Sequence, residues 1–367
     1  MQKHLMLLFL SDAKIEYKTG NLNPANYEGV DSQCYTTNES SVKILVTGYK
    51  DKFTPHTFDR IFVFTSDKVR KPICQTSKNE KTTEKRNVVE LFKDDLRELI
   101  PNIDDILVQQ EYHEDSRSSL EMQQTIVDMA KQIQDYVAQY PDDDFVLHAD
   151  CTGGFRHAIM MTLDVVRLMQ YNRVQTGEMI YSEYNPNGDG WVQSINDVYD
   201  LFDLTAGAEE FVRFGSVDAI NTYFAGKEIS PELQNLLNSM KTFSDAIKIC
   251  HAGSFAKAIE SLHTALSAFA NKKDALSEDK KVRFYDDLMH RMEGRIINDY
   301  QELWEADDLQ LISWCLDHDY LQQALTLYTE RVPELLTDKE QGIFHLTNQG
   351  TTLLNLNCQV KCNVFEK

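Results

Sequence analysis

The sequence has no apolar run near the roughly 18 residues that a membrane span requires. Its early apolar stretch, Leu5 to Leu10 in MQKHLMLLFLSDAK, is shorter than the hydrophobic region of a signal peptide and reads better as a buried first strand. Positive charge is scarce: 37 Lys and Arg stand against 58 Asp and Glu, a net charge of -21. A broad basic surface for duplex DNA is thereby excluded, although one local basic pocket is not. Cysteines are few, scattered and odd in number, seven in all. Cys358 and Cys362 have no second pair nearby, so neither a zinc knuckle nor a disulfide framework is expected. Free buried thiols in a cytoplasmic protein are the plain expectation. Neither a Walker loop nor GxGxxG occurs. NPNGDG, Asn185 to Gly190, lacks the acidic spacing and final glutamate of a calcium loop and is expected to be a plain turn.

What is present fits a soluble globular protein: 42% apolar and 26% charged residues over 367 positions, enough for two or three domains. Strand-like and helix-like patterns alternate through the first half. LMLLFL, FDRIFVFTS, DILVQQEYH, DFVLHAD and TGEMIYSEYN read as strands. Their near-continuous apolar character suits parallel strands covered on both faces. SSVKILVTGYK reads as a short helix running into a loop, and the segments NVVELFKDDLRELI, SLEMQQTIVDMAKQIQDYVAQY and FRHAIMMTLDVVRLMQYN as longer helices. The expected fold is α/β, a Rossmann-like doubly wound parallel sheet over residues 1–190. VRKPICQTSKNEKTTEKRN, Val69 to Asn87, is expected to be a mobile loop beside the ligand crevice. From about Val198 the signals are helical. A helical linker over 198–278 and a second helical region over 279–367 are expected. The last stretch, from His345, leaves the helical pattern and reads as a small hairpin, a frayed tail or an interrupted frame.

The segment DCTGGFRHA, Asp150 to Ala158, carries the chemistry. It lies between a strand and a helix, where Gly153 and Gly154 permit a tight turn. Exposed N–H groups at the helix start suit a phosphodiester; Thr152 adds a hydroxyl and Arg156 a cationic fork. The bland alternative is a tight turn with an incidental arginine.

In this position DCTGGFRHA resembles the signature of CRISPR-associated Rossmann-fold (CARF) proteins of the Csm6/Csx1 type, which carry a HEPN nuclease domain. YTTNESSVKILV, with Thr37, Asn38, Glu39 and Ser40, resembles the family pattern too. So do FSDAIKICHAGSFAKAIESLHTAL and LISWCLDHDYLQQALTLYTERVPELL; the last resembles the opening of the HEPN region. The resemblance spans roughly residues 1–336. It implies a homodimer that binds a cyclic oligoadenylate, cyclic tetra-adenylate or cyclic hexa-adenylate, across its two-fold axis. It implies ligand-binding roles for Thr152, Gly153, Gly154, Phe155 and Arg156, and for Ser11, Thr37 and Asn38 on the same face. No cofactor and no metal are expected. Ring cleavage by the ligand's own 2′-hydroxyl, with Thr152 and Arg156 assisting, is a second possibility, because positioning and charge stabilisation suffice for it.

The nuclease half departs from the family. Its HEPN signature is an arginine, four to six residues, then a histidine, suited to proton transfer and charge stabilisation. After Leu336 only His345 occurs, without an arginine at that distance. The effector part is therefore expected to be truncated or degenerate, and single-stranded RNA a partner only if it functions. Arg283 and His290 match the spacing formally but precede the stretch that the motif should follow; an exposed helix face is the plainer reading. His113 to Arg117 are candidates for the crevice border, and Tyr181 and Tyr184 for base stacking or rim packing. An unrelated α/β nucleotide-binding protein and a pure interaction protein are the competing readings.

Overall fold

The computed structural model describes residues 1–15, 22–76, 81–112, 118–154, 157–272, 279–340 and 343–346. The chain divides into two units, Met1–Tyr199 and Asp200–Lys367.

The first unit is built on six strands: β1 (Gln2–Phe9), β2 (Phe58–Thr65), β3 (Leu107–Glu111), β4 (Asp144–Asp150), β5 (Gln175–Glu183) and β6 (Trp191–Ser194). Their order is β3-β2-β1-β4-β5-β6, with β1 to β5 parallel and β6 antiparallel to β5. This is the order of a doubly wound sheet, whose direction of winding reverses between β1 and β4. Four longer helices cover it: α1 (Thr37–Thr47), α2 (Val88–Leu96), α3 (Ser119–Val137) and α4 (Ala158–Tyr171). The two-residue period of β1 divides its side chains between two cores. Met6 and Leu8 pack with Val42 and Leu45 of α1 and Phe92 of α2. Leu5, Leu7 and Phe9 pack with Met129 and Ile133 of α3 and Val165 of α4.

Two sequence expectations need correction here. Val69 to Asn87 is not simply a loop: Pro72–Thr76 and Lys81–Asn87 pair antiparallel, with Cys74 opposite Thr83 and Gln75 opposite Thr82. Polarity misled the reading, because a two-stranded ribbon outside the main sheet needs no apolar alternation. The sixth strand, Trp191–Ser194, went unread because four residues give too short a pattern. The turn expected at Asn185 to Gly190 joins it to β5, with Asn187 N–H donating to Asn185 Oδ1 at 3.0 Å.

The second unit is helical: α5 (Asn196–Phe214, beginning in the first unit), α6 (Asp218–Phe224), α7 (Pro231–Ile249), α8 (Ala252–Asn271), α9 (Lys280–Tyr300), α10 (Asp308–Asp317) and α11 (Leu321–Leu336). One apolar core includes Phe211, Phe243, Phe255, Tyr300, Trp314 and Leu327 and so draws on both sides of Asp279. Several of these helices have a side-chain cap at their start. Ser230 Oγ accepts Leu233 N–H, with Pro231 at the first helical position, and Asp307 and Gln310 form a capping box. A strand pair, Thr337–Glu340 with Ile343–Leu346, follows α11 and includes the backbone of His345; Cys358 and Cys362 lie outside the described residues. No helix among the described residues is long and apolar enough to cross a membrane.

Candidate functional site

In an open parallel sheet the crevice beyond the carboxyl ends of the strands, where the winding reverses, is the place a ligand enters. Here that place is bounded by the ends of β1 and β4 and by the start of α1. The sequence builds α1 locally: Thr36 Oγ1 accepts Glu39 N–H, while Glu39 returns bonds to the Thr36 and Tyr35 N–H groups. This capping box fixes the first turn, and so Thr37 and Asn38, at the sheet's carboxyl edge.

Asn38 ties the two strand ends together. Its Oδ1 accepts Ser11 N–H at 2.7 Å, and its Nδ2 donates to Asp150 Oδ2 at 2.8 Å. Asp150 Oδ1 accepts Thr152 N–H at 2.8 Å. Ser11 Oγ and Thr37 Oγ1 lie 2.9 Å apart. Thr152 Oγ1 accepts Ser182 N–H from β5 at 2.7 Å, and its own proton is directed at the Asp150 carboxylate. Behind these, the hydroxyls of Ser40 and Ser41 each lie 2.9 Å from that of Ser182. Asp150 is fully buried and its carboxyl is pushed up by desolvation, opposed by the bonds from Thr152, Asn38 and Ser41.

The glycines are sterically required. A Cβ on Gly153 would overlap the Phe9 carbonyl oxygen and lie 2.6 Å from Asn38 Nδ2. Gly154 has φ +81°, with Phe9 Cβ and Ala158 Cβ too close for any side chain. The turn therefore packs its backbone directly on the end of β1. Among the described residues, no acceptor is found for the Gly153 and Gly154 N–H groups. The arrangement can present backbone N–H and hydroxyl donors to an oxyanion.

Of the sequence-predicted residues, the structure brings Ser11, Thr37, Asn38, Thr152, Gly153 and Gly154 together. Phe155, Arg156 and His113 to Arg117 lie outside the described residues. Tyr184, two residues past Ser182, stacks under an ammonium: Lys14 Nζ is 4.0 Å from its ring centroid and donates to Tyr27 Oη at 2.6 Å. Burial pushes the Lys14 amine down to about 8. Sequence reasoning missed Lys14. Its only signal was its place three residues beyond Ser11, on the loop that follows β1.

The Arg283 and His290 pair is not an exposed helix face. The His290 ring stacks on Phe269, centroids 4.2 Å apart, and its Nδ1 lies 2.7 Å from Oε2 of the buried Glu293. Asp286, between the pair, is buried and accepts a bond from Ser230 Oγ. Helical spacing places the two on one face but does not reveal that Phe269 of α8 covers His290. A cleft of about 660 Å³ in the helical unit is lined by Trp304, Trp314, Glu302, Glu305 and Asp317. Its acidic rim is unsuited to a polyanion.

The sequence matches no family model. It matches no curated protein either. Among solved structures it is similar to Enterococcus italicus Csm6 bound to cyclic hexa-2'-fluoro-hexa-dAMP, at 9% identity and a TM-score of 0.36, over 98% of this chain and 76% of that one. That is a remote likeness.

Proposed function

We propose that the first unit is a CARF-type sensor that binds a cyclic oligoadenylate at the carboxyl end of β1 and β4. The observation that carries this reading is the Gly153–Gly154 turn seated on the end of β1, with Asn38 and Asp150 clamping it and the Ser11 and Thr37 hydroxyls beside it. Such a donor set suits phosphodiester oxygens. Arg156 supplies the cationic fork, and Tyr184 with Lys14 offers an aromatic face and a positive charge next to the Ser182 end of β5. A symmetric ring of phosphates meets the same turn from each of two chains, so the functional unit is a homodimer. The ligand is cyclic tetra-adenylate or cyclic hexa-adenylate. The effector half, without an arginine spaced before His345 and with His290 packed against Phe269, is not assigned a nuclease reaction.

Calorimetry of the whole protein with cyclic tri-, tetra- and hexa-adenylate tests this, with the ligand recovered afterward. One ring per two chains, weakened at least tenfold by Arg156→Ala, is expected. Recovery of linear adenylates would add ring cleavage to the reading. No binding of any ring, with tight binding of a mononucleotide, would replace it by an unrelated nucleotide-binding role.

A further inference from the structure

On the α1 face of the sheet, one strand repeat along β4 from Asp150, stands His148. Its neighbours are His4 of β1 and His56 of the segment that leads into β2. The ring centroids are 4.5 Å apart for His4 and His56, 4.6 Å for His56 and His148, and 5.3 Å for His4 and His148. One nitrogen from each ring lies within 4.8 Å of the others, and His4 Nδ1 is 3.0 Å from His148 Nε2. In a tetrahedral site with metal–nitrogen bonds of about 2.0–2.1 Å, the ligand nitrogens are roughly 3.3–3.4 Å apart. No other three His, Cys, Asp or Glu side chains converge in this way among the described residues.

The sheet is deformed to make this cluster. Between β4 and β5, Leu147 pairs with Thr176 and Ala149 with Met179, so Gly177 and Glu178 both face His148. That bulge turns Glu178 N–H onto His148 Nδ1 at 3.0 Å, and Gly177 is needed because a Cβ there would come within 2.8 Å of the ring. A second register shift falls between His4 and Leu5, where Asp59 Oδ2 accepts His4 N–H at 3.0 Å. Bulges re-aim side chains, and two of them here aim two imidazoles at one point. His148 is buried, while His4 and His56 are half-buried, leaving an approach for an ion and for water as a fourth ligand.

We propose that His4, His56 and His148 bind a divalent transition metal ion of imidazole preference, zinc foremost. The ion would join three separate pieces of the chain. His56 N–H donates to Leu45 O of α1 at 2.7 Å, so the ion would also brace the helix that presents Thr37 and Asn38. Without metal, the Glu178 bond leaves the His148 proton on Nε2, directed at His4 Nδ1. Coordination through His148 Nε2 moves that proton to Nδ1, so the bonds to His4 and from Glu178 are both given up and the affinity falls roughly 10–100-fold relative to a pre-set site.

The test uses the full chain stripped with chelator, titrated with Co²⁺ by visible absorption and with Zn²⁺ by calorimetry. One ion per chain, with the intense visible band of four-coordinate cobalt, is expected. Zn²⁺ should raise the melting temperature. His56→Ala, at a half-buried position, should keep the circular dichroism of the fold and weaken binding about 100-fold. His4→Ala should do the same. The absence of saturable binding by the intact protein would overturn the proposal. Binding of undiminished affinity in both variants would also overturn it, by assigning the ion elsewhere.

Discussion

In the first unit, α1 buries Asn38, Glu39, Ser40, Ser41 and Lys43 beside Val42 and Leu45. In the second, α7 buries Leu233, Leu237, Met240 and Phe243, and Phe243 meets Phe255, Tyr300 and Trp314 with ring centroids 5.2–6.4 Å apart. A buried aromatic cluster is favourable wherever it packs. A buried polar set is costly unless every member is bonded. In α1 the bonds run to Ser11, Asp150, Ser182 and Asp95. The contrast separates a helix whose interior is mainly apolar, with Ser239 and Ser244 as its buried polar members, from one whose interior fixes the geometry of a neighbouring turn.

Three changes would break or sharpen that contrast. Phe243→Ala has the largest effect, about 3–5 kcal/mol of unfolding free energy. Urea denaturation followed by fluorescence reads it, since Trp304 and Trp314 lie in the second unit. Asn38→Ala costs about 2–4 kcal/mol, because it orphans the Ser11 N–H and deprives buried Asp150 of a donor. It should also abolish cyclic-oligoadenylate binding in calorimetry, since the turn loses its clamp. A loss of stability with ligand affinity intact would mean that the polar interior of α1 serves folding alone.

The finest distinction is a slope. Desolvation and the neighbouring Asp95 carboxyl push Glu39 up to about 9, against an ordinary 4.5. Between those values the folded chain binds more protons than the unfolded one, so this group's contribution is full at acid pH and is lost as pH rises toward 9. Glu39→Gln is neutral at every pH, although its single amide oxygen can serve only one of the Thr36 and Tyr35 N–H groups, so the variant is less stable throughout. Being neutral, it should flatten that decline when melting temperature is measured across the window. An unchanged slope would remove Glu39 as its source.

The sequence was most legible where signals are local. DCTGGFRHA announced its tight turn through two glycines, and the long amphipathic helices were evident from their periodicity. The capping box of Thr36 and Glu39 was also written locally, although the sequence reading took only the family pattern from it. Less legible were Lys14, whose role depends on Tyr27 and Tyr184, and His290, whose helical spacing reveals nothing of Phe269 above it. The strand pair Pro72–Thr76 and Lys81–Asn87 was hidden because its polar residues imitate a loop.

By itself, then, the sequence determined the alternation of strands and helices in the first half, the helical second half, and a turn that only glycine can make. These follow from side-chain period and backbone sterics, which act over a few residues. Tertiary structure decided the strand order, which sets β1 beside β4 although more than 130 residues separate them. That adjacency gives Gly153 its contact with Phe9, lets Asn38 bridge Ser11 and Asp150, and gathers His4, His56 and His148. Parallel pairing is non-local, so no window along the chain records which distant residues a crossover will bring face to face.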